Sequence, residues 1–173
     1  MLTDIDLPAG DAPFTLDRED GETVWFLGSL VIIKATGENT QESFSMVEQL
    51  SPTGFAPPRH VHQEDDELFY ILEGEAEFDA GDMHTRARPG TTVYLPHGVP
   101  HAWRTTEQTR LLQLTFQPGF ERFFIEMGTP AERLGLPPEP KQPPDTEAIM
   151  NRMAELGKKY GFELVGPPLG ADQ

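Results

Sequence analysis

The chain contains no cysteine. That excludes a disulfide framework, a zinc–thiolate site, an iron–sulfur cluster and a cysteine nucleophile together. Any bound metal must therefore be held by nitrogen and oxygen. No run approaches the ~20 apolar residues of a membrane-spanning helix, and the start Met1-Leu2-Thr3-Asp4-Ile5-Asp6 has no basic residue leading into an apolar segment. The expectation is a cytoplasmic protein with no membrane partner. Positive charge is also scarce: 13 Lys and Arg stand against 29 Asp and Glu, a formal net charge of −16. Such a surface repels a phosphate backbone, which excludes nucleic acid as the expected partner. The serines, Ser29, Ser43, Ser45 and Ser51, lie in no Gly-x-Ser-x-Gly elbow, and no glycine-rich phosphate loop is present. What remains for chemistry is histidine and carboxylate.

At 173 residues the chain suits one domain with a real core. Residues 1–20 mix Pro8, Gly10, Pro13 and acids without periodicity and read as an N-terminal arm. From 21 to 118 the pattern is short β-branched or alternating runs punctuated by glycine or proline. Glu22–Ala35 reads as two strands or one bulged strand interrupted at Gly28, and Thr40–Leu50 as a further strand. Glu75–Ala80 and Met83–Arg88 form a candidate hairpin, and Val99–Thr105 and Thr109–Gln117 complete the set. Regular spacing of this kind argues for an all-β antiparallel sandwich or barrel.

Residues 119–173 change character and read as a helical extension and tail of the same domain. Phe120, Phe123, Phe124 and Met127 form a helical stripe that Gly128 can end. Thr129-Pro130-Ala131-Glu132 matches a capping box opening a short helix that stops near Gly135. A proline-rich connector follows. Asp145 then caps a last helix with Ile149, Met150, Met153 and Leu156 on one side. Residues 161–173 read as a loose tail.

The chemistry concentrates in His60-Val61-His62-Gln63-Glu64-Asp65-Asp66-Glu67, which runs into Leu68-Phe69-Tyr70-Ile71-Leu72. Two histidines two apart on a strand share a face and can converge on one point. Glu67 lies at an odd offset from His62, so residues 63–66 must break the strand and let Glu67 begin another. Imidazoles with a carboxylate suit a divalent transition ion such as Mn, Fe, Co, Ni, Cu or Zn. A solvated acidic loop after two surface histidines is the alternative for this stretch alone. Forty residues later, Pro96, Gly98 and His101 form a tight turn and a returning strand that can supply another ligand.

Together these residues read Gly54-x5-His60-x-His62-x4-Glu67-x6-Gly74 and Gly90-x5-Pro96-x-Gly98-x2-His101. The pair resembles the two motifs of the cupin superfamily. The family often closes its second motif with asparagine, where Thr105 stands here. The resemblance implies a double-stranded β-helix, a jelly-roll barrel, with a divalent metal held by His60, His62, Glu67 and His101. Asp66 is the rival carboxylate, one spacer shorter; Glu67 leads directly into the apolar strand. His84 and His97 read as bystanders, and Glu64-Asp65-Asp66 as a solvated loop.

Gly119–Pro137 resembles the helical extension of bacterial single-domain cupins related to quercetin 2,3-dioxygenases. That implies a dioxygenase acting with dioxygen on a flavonol or similar enol, with Glu67 as ligand and possible general base. The alternatives are a non-catalytic metal-dependent binding cupin, or a metal-assisted isomerase, lyase or decarboxylase. By alternation Phe69 and Ile71 share the face of Glu67, and Trp103 that of His101. These three, with Phe123 and Phe124, are the expected substrate pocket. A homodimer is expected from the family's habit and the commonness of two-fold pairs.

Overall fold

The computed structural model describes residues 12–171. The expected N-terminal arm falls largely on residues 1–11, outside the described part. Its last residues are tied down, because Lys34 Nζ donates to the carbonyls of Asp17, Arg18 and Asp20 at 2.8, 2.8 and 2.7 Å.

The strands follow in chain order. β1 (Thr23–Phe26) and β2 (Ser29–Ala35) form a hairpin whose turn residues, Leu27 and Gly28, have φ of 49° and 90°. Positive φ at both central positions is the turn that matches strand twist, and glycine supplies one of them without cost. β3 (Ser45–Ser51) starts later than the expected Thr40. The Thr40 hydroxyl instead donates to the carbonyl of Thr36, holding residues 36–44 as a loop.

β4 (Pro58–His62), β5 (Asp66–Glu73), β6 (Ala76–Ala80), β7 (Met83–Ala87), β8 (Thr92–Leu95), β9 (His101–Thr105) and β10 (Thr109–Phe116) occupy the expected places. Gly74, between β5 and β6, has φ of 79°, and a Cβ there would lie 2.2 Å from the Gln108 carbonyl oxygen. Only glycine fits that turn.

The chain then forms α1 (Glu121–Met127), β11 (Thr129–Pro130), α2 (Thr146–Tyr160) and β12 (Phe162–Pro168). α1 ends at Gly128, and the Asp145 carboxylate accepts from Ala148 N at 3.0 Å at the start of α2. Two expectations are corrected. The capping-box pattern at Thr129 opens no helix: Thr129 and Pro130 pair with Trp25 and Val24 of β1. An edge strand tolerates proline, and the pairing covers β1 and buries Ala131 against Leu30 and Ile32. The expected loose tail is β12, paired antiparallel to β4. Gly161, in the left-handed region at φ 75°, reverses the chain between α2 and β12.

Among the described residues two antiparallel sheets result, ordered β11-β1-β2-β3-β10-β5-β8 and β12-β4-β9-β6-β7. Their facing sides enclose a core that includes Val31, Ile33, Phe69, Ile71, Phe78 and Leu111. The architecture is an all-β jelly-roll barrel with helices near its C-terminal end, as expected. Burying these side chains contributes about 1.5–3 kcal/mol each. No helix among the described residues is long and apolar enough to cross a membrane.

Candidate metal centre

Both sheets contribute to one point inside the barrel. His60 and His62 project from β4, and His101, directly opposite His60 in register, projects from β9. Glu67 faces them from β5 in the other sheet, on the same side of its strand as Phe69 and Ile71. One ligand atom from each of these four residues lies within 4.8 Å of all the others.

The orientation of two rings is set by backbone. His60 Nδ1 lies 2.8 Å from the Pro58 carbonyl oxygen and His101 Nδ1 lies 3.0 Å from that of Val99. A carbonyl accepts only, so each Nδ1 carries the proton and each Nε2 presents a lone pair. Yet the two Nε2 atoms face one another at 3.1 Å. Glu67 Oε2 lies 3.0 Å from His101 Nε2, and Oε1 lies 3.5 Å from His62 Nε2. Lone pairs thus converge on one spot, while both nitrogens of His62 and Oε2 of Glu67 are buried without a hydrogen-bond partner. Acceptors aimed at a common centre are stabilised by a cation, and this mixed nitrogen and oxygen set fits a divalent transition ion.

The charge states of His60 and Glu67 agree. Burial, with His101 beside it, pushes His60 down to about 4, leaving it neutral at pH 7. Burial works against the charge on Glu67, but His62, His101 and His60 outweigh it and hold the carboxyl down to about 2. For His62 burial opposes protonation, while Glu67 and Asp65 outweigh it and raise the value. His62, Glu67 and His101 are 1%, 1% and 2% exposed.

Some neighbours were not legible in the sequence. Gln113 on β10 donates from Nε2 to Glu67 Oε1 at 2.6 Å. The available signal was a polar residue between Leu111 and Thr115 on the inward side of an alternating strand. Asp65, expected in a solvated loop, has a side chain only 13% exposed, with Oδ2 3.6 Å from His62 Nδ1. Asp66 turns outward to Tyr94 and His97, at 2.7 Å from the hydroxyl of one and 2.9 Å from the amide of the other. Thr105 pins the Gly54 turn, donating to the Pro52 carbonyl at 2.6 Å and accepting from Phe55 N at 3.0 Å.

A cavity lined by His60 and Glu67 of the four leaves about 40 Å³ in which the centre of a water molecule can sit. Trp103, Phe123 and Phe124 line it, together with Phe55, Phe120 and Phe162. Phe69 and Ile71 do not. They are buried in the core, where Phe69 packs on Phe78 and Trp103 at ring distances of 5.2 and 5.7 Å. Alternation gave their side of the strand correctly, but both side chains belong to the core and not to the cavity wall.

Two antiparallel sheets closed around a buried cluster of three histidines and a glutamate define a jelly-roll barrel with a candidate divalent metal centre. Residues 46–116 match the family model described as Cupin domain, so this stretch of the barrel is a cupin domain. It is 29% identical over 137 residues to the quercetin 2,3-dioxygenase of Bacillus subtilis, covering 79% of this chain and 41% of that protein. It is 36% identical over 78 residues to a dimethylsulfoniopropionate lyase of Ruegeria pomeroyi, covering 44% of this chain and 38% of that one. The matches thus span about two-fifths of the length of these relatives. Among solved structures, KdgF from Halomonas sp. superposes with a TM-score of 0.56 at 19% identity, over 64% of this chain and 99% of that one. Ectoine synthase from P. lautus superposes at 0.53 and 18%, over 72% and 88%. At such identities the likeness shows the fold alone.

Proposed function

We propose that this chain is a metal-dependent dioxygenase of the quercetinase-like cupin type, acting on an apolar aromatic molecule with an enol group. The observation that carries the reading is the composition of the cavity against His60 and Glu67 of the converging side chains. Among the described residues lining it, Glu67 bears the only formal charge beside His60, and the rest are mainly Phe, Trp, Met, Pro and Leu. Among the described residues no lysine or arginine stands there to bind a carboxylate or a phosphate. The similarity to quercetin 2,3-dioxygenase over most of this chain supports the same reading.

His60, His62, Glu67 and His101 hold the ion in this reading, and a divalent ion there supplies Lewis acidity and redox contact with dioxygen. The protein's own work is positional. The Pro58 and Val99 carbonyls orient two imidazoles. Glu67 is ionised and so is in the form that accepts the proton of a substrate hydroxyl brought within hydrogen-bond reach. Gln113 holds one carboxylate oxygen still while the other is used. Phe120, Phe123, Phe124 and Phe162 exclude water from reactive species.

The size of the cavity favours a second reading, a non-redox lyase or a binding protein for a small molecule, since about 40 Å³ holds no flavonol without movement of α1 or α2. Oxygen uptake decides between them. Metal-quantified protein is offered a panel of flavonols and smaller enols, with His62→Ala as control. Uptake on a flavonol that disappears in the control supports the dioxygenase; stoichiometric metal with no uptake on any member transfers the case to the second reading.

A further inference from the structure

Outside the cavity, a groove of about 510 Å³, by the same measure, opens to solvent on the far side of Phe120. Its walls carry Glu38, Glu42, Glu64 and Asp65 against Arg122 and Lys159. Lys159 is already paired with Glu126 at 2.6 Å. Glu121, also on the wall, is buried and accepts from Gly119 N at 2.7 Å. The groove is therefore negative along the side that Glu64 and Asp65 occupy.

That side touches the centre at one place. Asp65 Oδ2 lies 3.6 Å from His62 Nδ1, beyond hydrogen-bond reach, and His62 is 1% exposed. Neither of its ring nitrogens has a hydrogen-bond partner, whereas His60 and His101 are both held through Nδ1 by a backbone carbonyl. His62 is the ring of the three that no hydrogen bond fixes. Its edge contacts are aromatic, with Phe120 at 4.8 Å.

We infer that the groove is a loading site for divalent cations, in which Glu64 and Asp65 collect the ion and His62 is the first inner ligand to receive it. Clefts lined with charge of one sign focus the field and raise the local concentration of the opposite ion, increasing on-rates by about 10- to 1,000-fold. A buried cluster of imidazoles behind aromatic rings lacks such a capture surface of its own. The carboxylates provide it, and the His62 ring bridges the two sides, with Nδ1 facing Asp65 at 3.6 Å and Nε2 facing Glu67 at 3.5 Å. The inference rests on the reading of the four side chains as a cation site, and it is independent of substrate.

The test mixes metal-free full-length protein with Co²⁺ in a stopped-flow instrument, following cobalt absorbance and tryptophan fluorescence. Glu64→Gln/Asp65→Asn is compared with Asp82→Asn/Glu139→Gln, which removes the same charge from exposed positions elsewhere. The association rate constant is expected to fall about tenfold in the groove variant and to stay within twofold in the other. The difference should shrink in 0.5 M salt, where about 4–5 Å of screening length remains. Equal rates in the two double variants overturn the inference. So does lost affinity at an unchanged association rate, which makes Asp65 a residue that positions His62. The single variant Glu64→Gln, at an exposed position, carries the test if Asp65→Asn impairs folding. Equilibrium titration separates the two levels: cobalt binding that survives His60→Ala, or none in the wild-type chain, overturns the cation site itself.

Discussion

Gln113 Nε2 donates to Oε1 of Glu67 at 2.6 Å, so Oε2 is the oxygen turned toward His101 Nε2 at 3.0 Å. A side chain from β10 thus decides which half of the carboxylate faces His101 and which faces His62. Gln113→Leu keeps the volume near its original value and removes the donor from a buried charged acceptor. Urea denaturation is expected to show a loss of about 1–3 kcal/mol. Isothermal titration should show metal affinity reduced about 10- to 100-fold, as for other residues that orient a ligand.

Four acceptors aimed at one spot predict a strong dependence of stability on a divalent ion. At a free ion concentration of about 1,000 times Kd the folded state gains about 4 kcal/mol. For a chain of this length that is on the order of 10 °C in Tm. Scanning calorimetry before and after chelation reads it, and His101→Ala should abolish the difference. An unchanged Tm at saturating Mn²⁺, Fe²⁺, Co²⁺, Ni²⁺ and Zn²⁺ would remove the case for a metal centre.

Phe162 opens β12 and packs on His60, His62, Phe120 and Phe123, with ring distances from 5.0 to 6.1 Å. Phe162→Ala is expected to cost about 3–5 kcal/mol in folding stability. The same change widens the cavity beside His60. Chemical denaturation measures the first effect, and binding of a larger aromatic probe the second.

The outer side of the smaller sheet makes a pH prediction away from the centre. Glu77, 6% exposed, accepts from Arg104 Nε at 2.7 Å and from Arg86 Nε at 3.0 Å. Its hydrogen bond to Arg104 holds the carboxyl below its ordinary 4.5. A folded-state value below the unfolded one means that the stabilisation is fully present above about 4.5 and is lost as pH falls through the folded value. Wild type should therefore exceed Glu77→Gln in stability at pH 7. The gap should narrow in urea melts at pH 4 and close further below; a gap independent of pH would assign the effect to packing.

The site was legible to the extent that ligand spacing survives without coordinates. Strand alternation placed His60 with His62, the polar tract at residues 63–66 separated Glu67 from them, and the turn at Pro96 and Gly98 brought back His101. Gln113 and Asp65 were not legible, because their roles depend on partners 46 residues away in one case and on loop burial in the other. Phe69 and Ile71 show the limit of the face rule: inward does not mean at the opening.

For the fold, the repeated short runs from β1 to β10 specified a barrel, since each carries its own period and turn residues. The C-terminal part was different. Thr129–Pro130 has local helix chemistry but an unpaired neighbour in β1, and the ladder won. Phe162–Pro168, with two prolines and a glycine, has weak strand propensity, and the open edge of β4 recruits it. Local sequence determined the barrel strands, the capped α2 and the four converging side chains, because period, punctuation and ligand type act over a few residues. Tertiary structure alone decided which edges were covered, how small the cavity beside those side chains became, and which way Glu67 faces, because these depend on backbone groups and volumes contributed from distant parts of the chain.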